Sequence, residues 1–134
     1  MELTLKAKLA IYEHFATTGK RPSIGAIAAG LGVDVVEARG LYAGLCAQRV
    51  LVLEADGASI RMAPPFSGVP TQHRVVSGGV SYFANCAWDA LGIAAALRRP
   101  AVVRSRCEQS LEPLELQVGD RAPEPSSWLD LAEA

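Results

Sequence analysis

The run from Asn85 to Leu97 constrains the fold more than any other part of the chain. It reads Asn-Cys-Ala-Trp-Asp-Ala-Leu-Gly-Ile-Ala-Ala-Ala-Leu, with one charge and otherwise almost only small or apolar residues. A helix that is apolar nearly all round must be buried, so other layers have to cover it. Arg98-Arg99-Pro100 ends it, because cations suit a helix C-terminus and proline cannot continue the hydrogen-bond ladder. Ahead of it, Thr71–Val76 alternates in polarity, breaks at Gly78-Gly79 and resumes over Val80–Phe83, which predicts a hairpin with His73 in its first strand. Behind it, Ala101–Ser105 and Leu114–Val118 read as two further strands. Aromatic residues are only 6% of a chain that is half hydrophobic, so the interior should be built from Ala, Val, Leu and Ile.

The first part of the chain has a different rhythm. Leu5, Leu9, Tyr12 and Phe15/Ala16 repeat at three and four, which predicts a helix over 3–18 stopped by Gly19. Ser23 caps a second short helix with Ile24, Ile27 and Ala28 inward, ended by Gly30. Asp34 caps a third, running to about Gln48, with Val35/Val36, Ala38, Leu41, Leu45 and Cys46 as its apolar side. Val50–Leu53 and Ser59–Met62 read as strands around Asp56-Gly57, a type I′ hairpin signal. Helix, helix, turn, helix, hairpin is the order of a winged helix-turn-helix. Pro64, Pro65, Gly68 and Pro70 then mark residues 63–70 as an extended linker. Gly119–Ser127 reads as a loose Pro-rich tail, with Trp128-Leu129-Asp130-Leu131 as one apolar docking turn.

Charge and cysteine usage narrow the function classes. The net charge is −1 over 134 residues, so no global basic field draws nucleic acid or an anionic membrane. Residues 1–62 carry seven Lys/Arg against six Asp/Glu, a net of +1. The candidate recognition helix opens with Asp34 and Glu37 and offers only Arg39 and Arg49 as cations. DNA binding needs several cations on one face, so this part serves better as a wall packed on the rest. Three irregularly spaced cysteines do not form a disulfide framework. Glu2, Lys6 and Lys8 interrupt any leader-like start, and no apolar run reaches the roughly 20 residues of a membrane span. A reduced, cytoplasmic protein is the expectation.

Cys86 and Asp89 carry the candidate chemistry. With Asn85 as N-cap they lie in the first helical turn, and residues i and i+3 share one face. A helix N-terminus favours a thiolate over a thiol, so an activated sulfur would sit beside a proton carrier. The alternative reading is a buried cysteine and a first-turn aspartate that merely complements the dipole. His73 reads first as an exposed or hydrogen-bonded strand histidine, with a proton-relay or ligand role as the alternative, and Trp88 as core or pocket wall.

The stretch Pro65-Phe66-Ser67-Gly68-Val69-Pro70-Thr71-Gln72-His73-Arg74-Val75, followed by Tyr82-Phe83-Ala84-Asn85-Cys86-Ala87-Trp88-Asp89-Ala90-Leu91-Gly92-Ile93, resembles the core of the alkylmercury lyases. The likeness continues through Ala94 to Cys107 and, with the family's winged-helix-like N-terminal domain, spans most of residues 1–118. It implies an α+β fold: a winged-helix-like three-helix domain over 1–63, a strand-helix-strand lyase-like core over 64–118, and a tail over 119–134. It implies that Cys86 binds mercury, that Asp89 delivers a proton to the departing carbon, and that Cys107 matches a cysteine regarded as structural in the family. Asn85, Trp88 and His73 would line the pocket.

The family's enzymes also use a second catalytic cysteine much further along, in a segment rich in His and Phe. No cysteine follows Cys107 here, so the resemblance is to a shortened member. A second sulfur would come from Cys107, as a shared metal ligand or a disulfide partner if its Cα lies within about 7 Å, or from a small exogenous thiol. No cofactor is required; a soft metal, mercury above all, enters as substrate or ligand. Two other function classes fit the same residues: a non-enzymatic thiol binder or sensor of soft metals or organometals, and a DNA-binding regulator. A sheet cut short exposes an edge that invites pairing, which predicts a homodimer.

Overall fold

A computed structural model describes residues 2–106 and 113–119. The expectations for Cys107, for the tail beyond Gly119 and for the Trp128–Leu131 turn lie outside the described residues. Three helices come first: α1 (Leu3–Thr18), α2 (Ile24–Leu31) and α3 (Val35–Ala47). Ser23 and Asp34 cap α2 and α3 by accepting from the backbone N–H of Ala26 and Glu37. Left-handed glycines close the first two: Gly19 (φ 73°) after α1 and Gly32 (φ 72°) after α2. Gly30, expected to end α2, is carried inside it.

The buried helix faces differ from the stripes read in the sequence. α1 turns Ala7, Ile11 and Phe15 inward and leaves Leu5 and Leu9 about half exposed, at 45% and 50%. α3 buries Ala38, Tyr42 and Leu45, while Val35 and Val36 face solvent. Each helix offers two overlapping apolar stripes at helical spacing. Phe15 belongs to both α1 stripes, and its stack on Phe66 turns the side shared with Ala7 and Ile11 inward; on α3 the buried side is the one with the Tyr42 ring.

Two antiparallel sheets follow. β1 (Val52–Leu53), β2 (Ile60–Ala63) and β3 (Phe66–Ser67) form one; β4 (Arg74–Ser77), β5 (Val80–Phe83), β6 (Ala101–Arg106) and β7 (Pro113–Val118) form the other, in the order β5-β4-β6-β7. Asp56-Gly57 does not make the expected type I′ turn, since only Gly57 has positive φ. Instead the Asp56 carboxylate accepts from Ala58 N–H, Ser59 N–H and Ser59 Oγ–H and organises a longer loop. Those bonds hold its carboxyl down to about 2. The two-residue turn lies at Gly78-Gly79, both at positive φ, between the paired residues Ser77 and Val80.

The stretch read as a linker contains β3, and β3 ties the molecule together. Phe66 pairs with Ala63 in the first sheet and bridges to Ala84 beyond the end of β5. Its ring stacks on Phe15 (5.1 Å between centroids, 6° between planes) and tilts against Tyr12 and Tyr82. One core therefore runs from Ala7, Ile11 and Phe15 through Phe66 and Tyr82 to Leu91 and Ile93. The Tyr82 hydroxyl donates to the Ala16 carbonyl and accepts from Arg99 Nη2 at 2.8 Å, joining α1 to the second sheet.

The apolar run after Asn85 forms α4 (Ala87–Leu97), packed on β3, β4 and β6. Its expected all-round burial is corrected. Ala90, Leu91, Ile93 and Ala94 face the sheet, whereas Trp88 and Ala96 are exposed, because the described layers cover one side only. Among the described residues no helix is long and apolar enough to cross a membrane.

Candidate active site at the start of the fourth helix

The path into α4 is fixed by short polar contacts. The Thr71 hydroxyl donates to the Ala84 carbonyl at 2.6 Å, and Ala84 N–H donates to the His73 carbonyl at 2.8 Å. These bonds staple the segment before β4 to the end of β5, so the chain leaves the sheet at Asn85 in a set direction. The next residue, Cys86, is extended (φ −156°, ψ 176°), and the helix starts at Ala87.

Cys86 itself is therefore the N-cap, and the expectation of Asn85 in that role is corrected by one residue. The Cys86 sulfur accepts the backbone N–H of Asp89 at 3.4 Å. This is the geometry by which a Ser or Asp side chain caps a helix, with sulfur standing where oxygen usually does. The sulfur thus faces the positive end of the helix dipole. Asp89 sits in the same turn, and both side chains are partly exposed, within reach of a small molecule.

Asn85 does a different job. Its Nδ2 lies 3.2 Å from Asp89 Oδ2, 3.1 Å from the Phe66 carbonyl oxygen and 3.4 Å from that of Pro65. The amide reaches back across α4's first turn and forward to β3. Its Oδ1 is buried without a hydrogen-bond partner.

The remaining expected site residues fall elsewhere. His73 is buried immediately before β4, not exposed and not within the strand, with Nδ1 2.6 Å from Ser105 Oγ. Trp88 is half exposed on α4, so it is not a core residue. It falls outside the Ala90–Leu91–Ile93–Ala94 stripe that meets the sheet. Cys46 and Cys86 are free thiols, and Cys46 packs against the core from α3. Among the described residues no three His, Cys, Asp or Glu side chains gather into a metal cage. Pro65 and Phe66 matter here through their backbone oxygens, which reading side-chain motifs does not reveal; a Pro-Pro-aromatic run ahead of Gly68 was the one available sign of a fixed segment.

Residues 66–129 match the family model of the MerB alkylmercury lyases. Among solved structures the chain is similar to the crystal structure of the mercury-bound form of MerB2, with a TM-score of 0.65 and 23% identity. That likeness covers 92% of this chain and 66% of the other, so the chain spans about two thirds of that protein's length. At this identity the likeness concerns the fold, a mixture of helices and antiparallel sheets. No curated protein matches the chain.

Proposed function

From a chain that is alkylmercury-lyase-like over residues 66–129, we propose a protein that captures an organomercurial or related thiophilic compound at Cys86 and uses Asp89 as proton donor to the departing carbon. The observation that carries this reading is the first turn of α4, where the Cys86 sulfur accepts the Asp89 N–H at 3.4 Å and so places both residues in one turn. A soft thiolate is the natural ligand for mercury, and a carboxyl held beside it can pass a proton without diffusion.

The Cys86 thiolate displaces a small thiolate from R–Hg–SR′, forming Cys86–S–Hg–R. A second thiolate, supplied by a small exogenous thiol, adds to mercury and weakens the carbon–mercury bond. Asp89 gives its proton to the carbon, the bond's electron pair becomes the new C–H bond, and R–H leaves. Mercury remains as a dithiolate and Asp89 as a carboxylate, to be reprotonated from solvent. Cys107 is the protein's own candidate for the second sulfur.

The order α1, α2, α3, β1, β2 supports a winged-helix-like reading of residues 1–63, with 64–118 as the lyase-like unit. In this reading the first unit is a wall, not a DNA reader. The exposed part of α3 carries Val35, Val36 and Glu37, and Arg39 there is tied through Nη1 to the Asp56 carbonyl. Turnover of methylmercury or phenylmercury with excess small thiol tests the proposal, by following released hydrocarbon for wild type, Cys86→Ser and Asp89→Ala. Release lost in both variants supports it. Stoichiometric mercury binding through Cys86 with no release in wild type replaces it with a binder or sensor.

A further inference from the structure

We infer that Asn85 is a positioning residue that holds the Asp89 carboxyl in its proton-donating orientation; this deepens the lyase reading and rests on it for its catalytic meaning. The amide nitrogen faces three oxygens: Asp89 Oδ2, Phe66 O and Pro65 O. Two amide hydrogens cannot serve three acceptors equally, and the longest contact, 3.4 Å to Pro65, is the weakest. The strong pair joins Asp89 to the backbone of β3. Turning the amide over would set oxygen against oxygen at all three contacts, so the surroundings dictate its orientation.

Two consequences follow for the carboxyl. Oδ2 accepts the Asn85 amide hydrogen, which sets the plane of the carboxyl. The carboxyl is also prevented from swinging, because the amide that holds it is anchored on a strand packed in the core. The Asn85 hydrogens stay on nitrogen throughout; only the Asp89 proton moves to carbon. Asp89 is thereby held at two points: its backbone N–H on the Cys86 sulfur and its carboxyl on Asn85.

Holding Asp89 and β3 through one amide carries a cost at its other end. Asn85 Oδ1 is buried and unpartnered, and an unmet buried acceptor costs about 1–3 kcal/mol. The unmet oxygen is the counterpart of a nitrogen directed at Asp89, and native structures tolerate such groups where a site requires them.

The test separates the mercury-capture step from the protonolysis step in single turnover, using methylmercury with excess small thiol on the full chain. The expected result for Asn85→Leu is capture within about twofold of wild type and hydrocarbon release slowed by about 100-fold, the scale of a misplaced catalytic group. Adding Asn85→Leu to Asp89→Ala should then change nothing further. Capture and release falling together, or additive losses in the double variant, would overturn the inference. An NMR measurement serves as a second readout, independent of turnover. Exchange of the Asn85 side-chain amide hydrogens with solvent should be slow in wild type and at least tenfold faster in Asp89→Ala. Unchanged exchange there overturns the inference. If wild type releases no hydrocarbon, the lyase reading fails by itself, and the exchange experiment still decides whether Asn85 holds Asp89.

Discussion

Replacing Gly68 by Ala should unfold much of what positions the site, and the size of the effect follows from one distance. A Cβ at Gly68 would lie 1.9 Å from the Ile60 carbonyl oxygen and 3.0 Å from its carbon. Van der Waals contact needs roughly 3.5 Å, so β3 has to retreat from β2 by about 1.5 Å. Backbone cannot turn away as a side chain does. The retreat breaks the Gly68 N–H bond to the Arg61 carbonyl (2.9 Å) and the Met62–Ser67 and Ala63–Phe66 pairing, and draws Phe66 off Phe15. Two lost backbone bonds at about 1 kcal/mol each, with partial uncovering of a phenylalanine at about 1–2 kcal/mol, give about 3–4 kcal/mol. That is a large part of the roughly 5–15 kcal/mol of a typical domain. Urea denaturation followed by circular dichroism measures it. Gly68→Asn should be as damaging as Gly68→Ala, since the obstacle is contact and not a left-handed backbone. A Gly68→Ala protein within about 1 kcal/mol of wild type would refute the argument.

Other positions test the fold from different directions. Gly40→Ala and Gly44→Ala place a Cβ in open space on α3. Each should raise stability by about 0.5–1 kcal/mol in the same denaturation assay. Tyr82→Phe removes the hydroxyl shared by Arg99 and the Ala16 carbonyl, and should cost about 1–3 kcal/mol. Tyr42→Phe removes a buried hydroxyl that has no partner and should be neutral or stabilising. Burial pushes the Tyr42 phenol up to about 12. The unfolded chain then ionises first, so stability is full below pH about 10 and falls between about 10 and 12; phenolate absorbance of the native and denatured protein, titrated side by side, reads the gap.

The alternation on either side of Gly78-Gly79 and the apolar run after Asp89 made the second sheet and α4 legible, because both signals are local. Which face of a helix is buried was less so. Leu5 and Leu9 look like core residues until the Phe15–Phe66 stack claims the neighbouring stripe, and that stack joins residues distant in sequence. β3 was hidden because Pro64, Pro65, Gly68 and Pro70 resemble a linker, although Gly68 is there to let β2 come close. Cys86 and Asp89 were legible as a spaced pair. That the sulfur caps the helix was not, since cysteine is seldom found in that role. Asn85's grip on Asp89 depends on the carbonyls of Pro65 and Phe66, whose approach no spacing rule encodes.

The link between Tyr82 and Ala16 spans 66 residues, and it sets a schedule on the ribosome. The inner face of α1 (Ala7, Ile11 and Phe15) is covered in part by β3 and β5. At roughly 5–20 residues per second of synthesis, that cover arrives about 3–13 s after the helix has emerged. During this interval α1 has only α2 and α3 to shelter it. An apolar face left waiting is a surface that chaperones bind, so the nascent chain should be most dependent on them before Phe83 clears the exit tunnel.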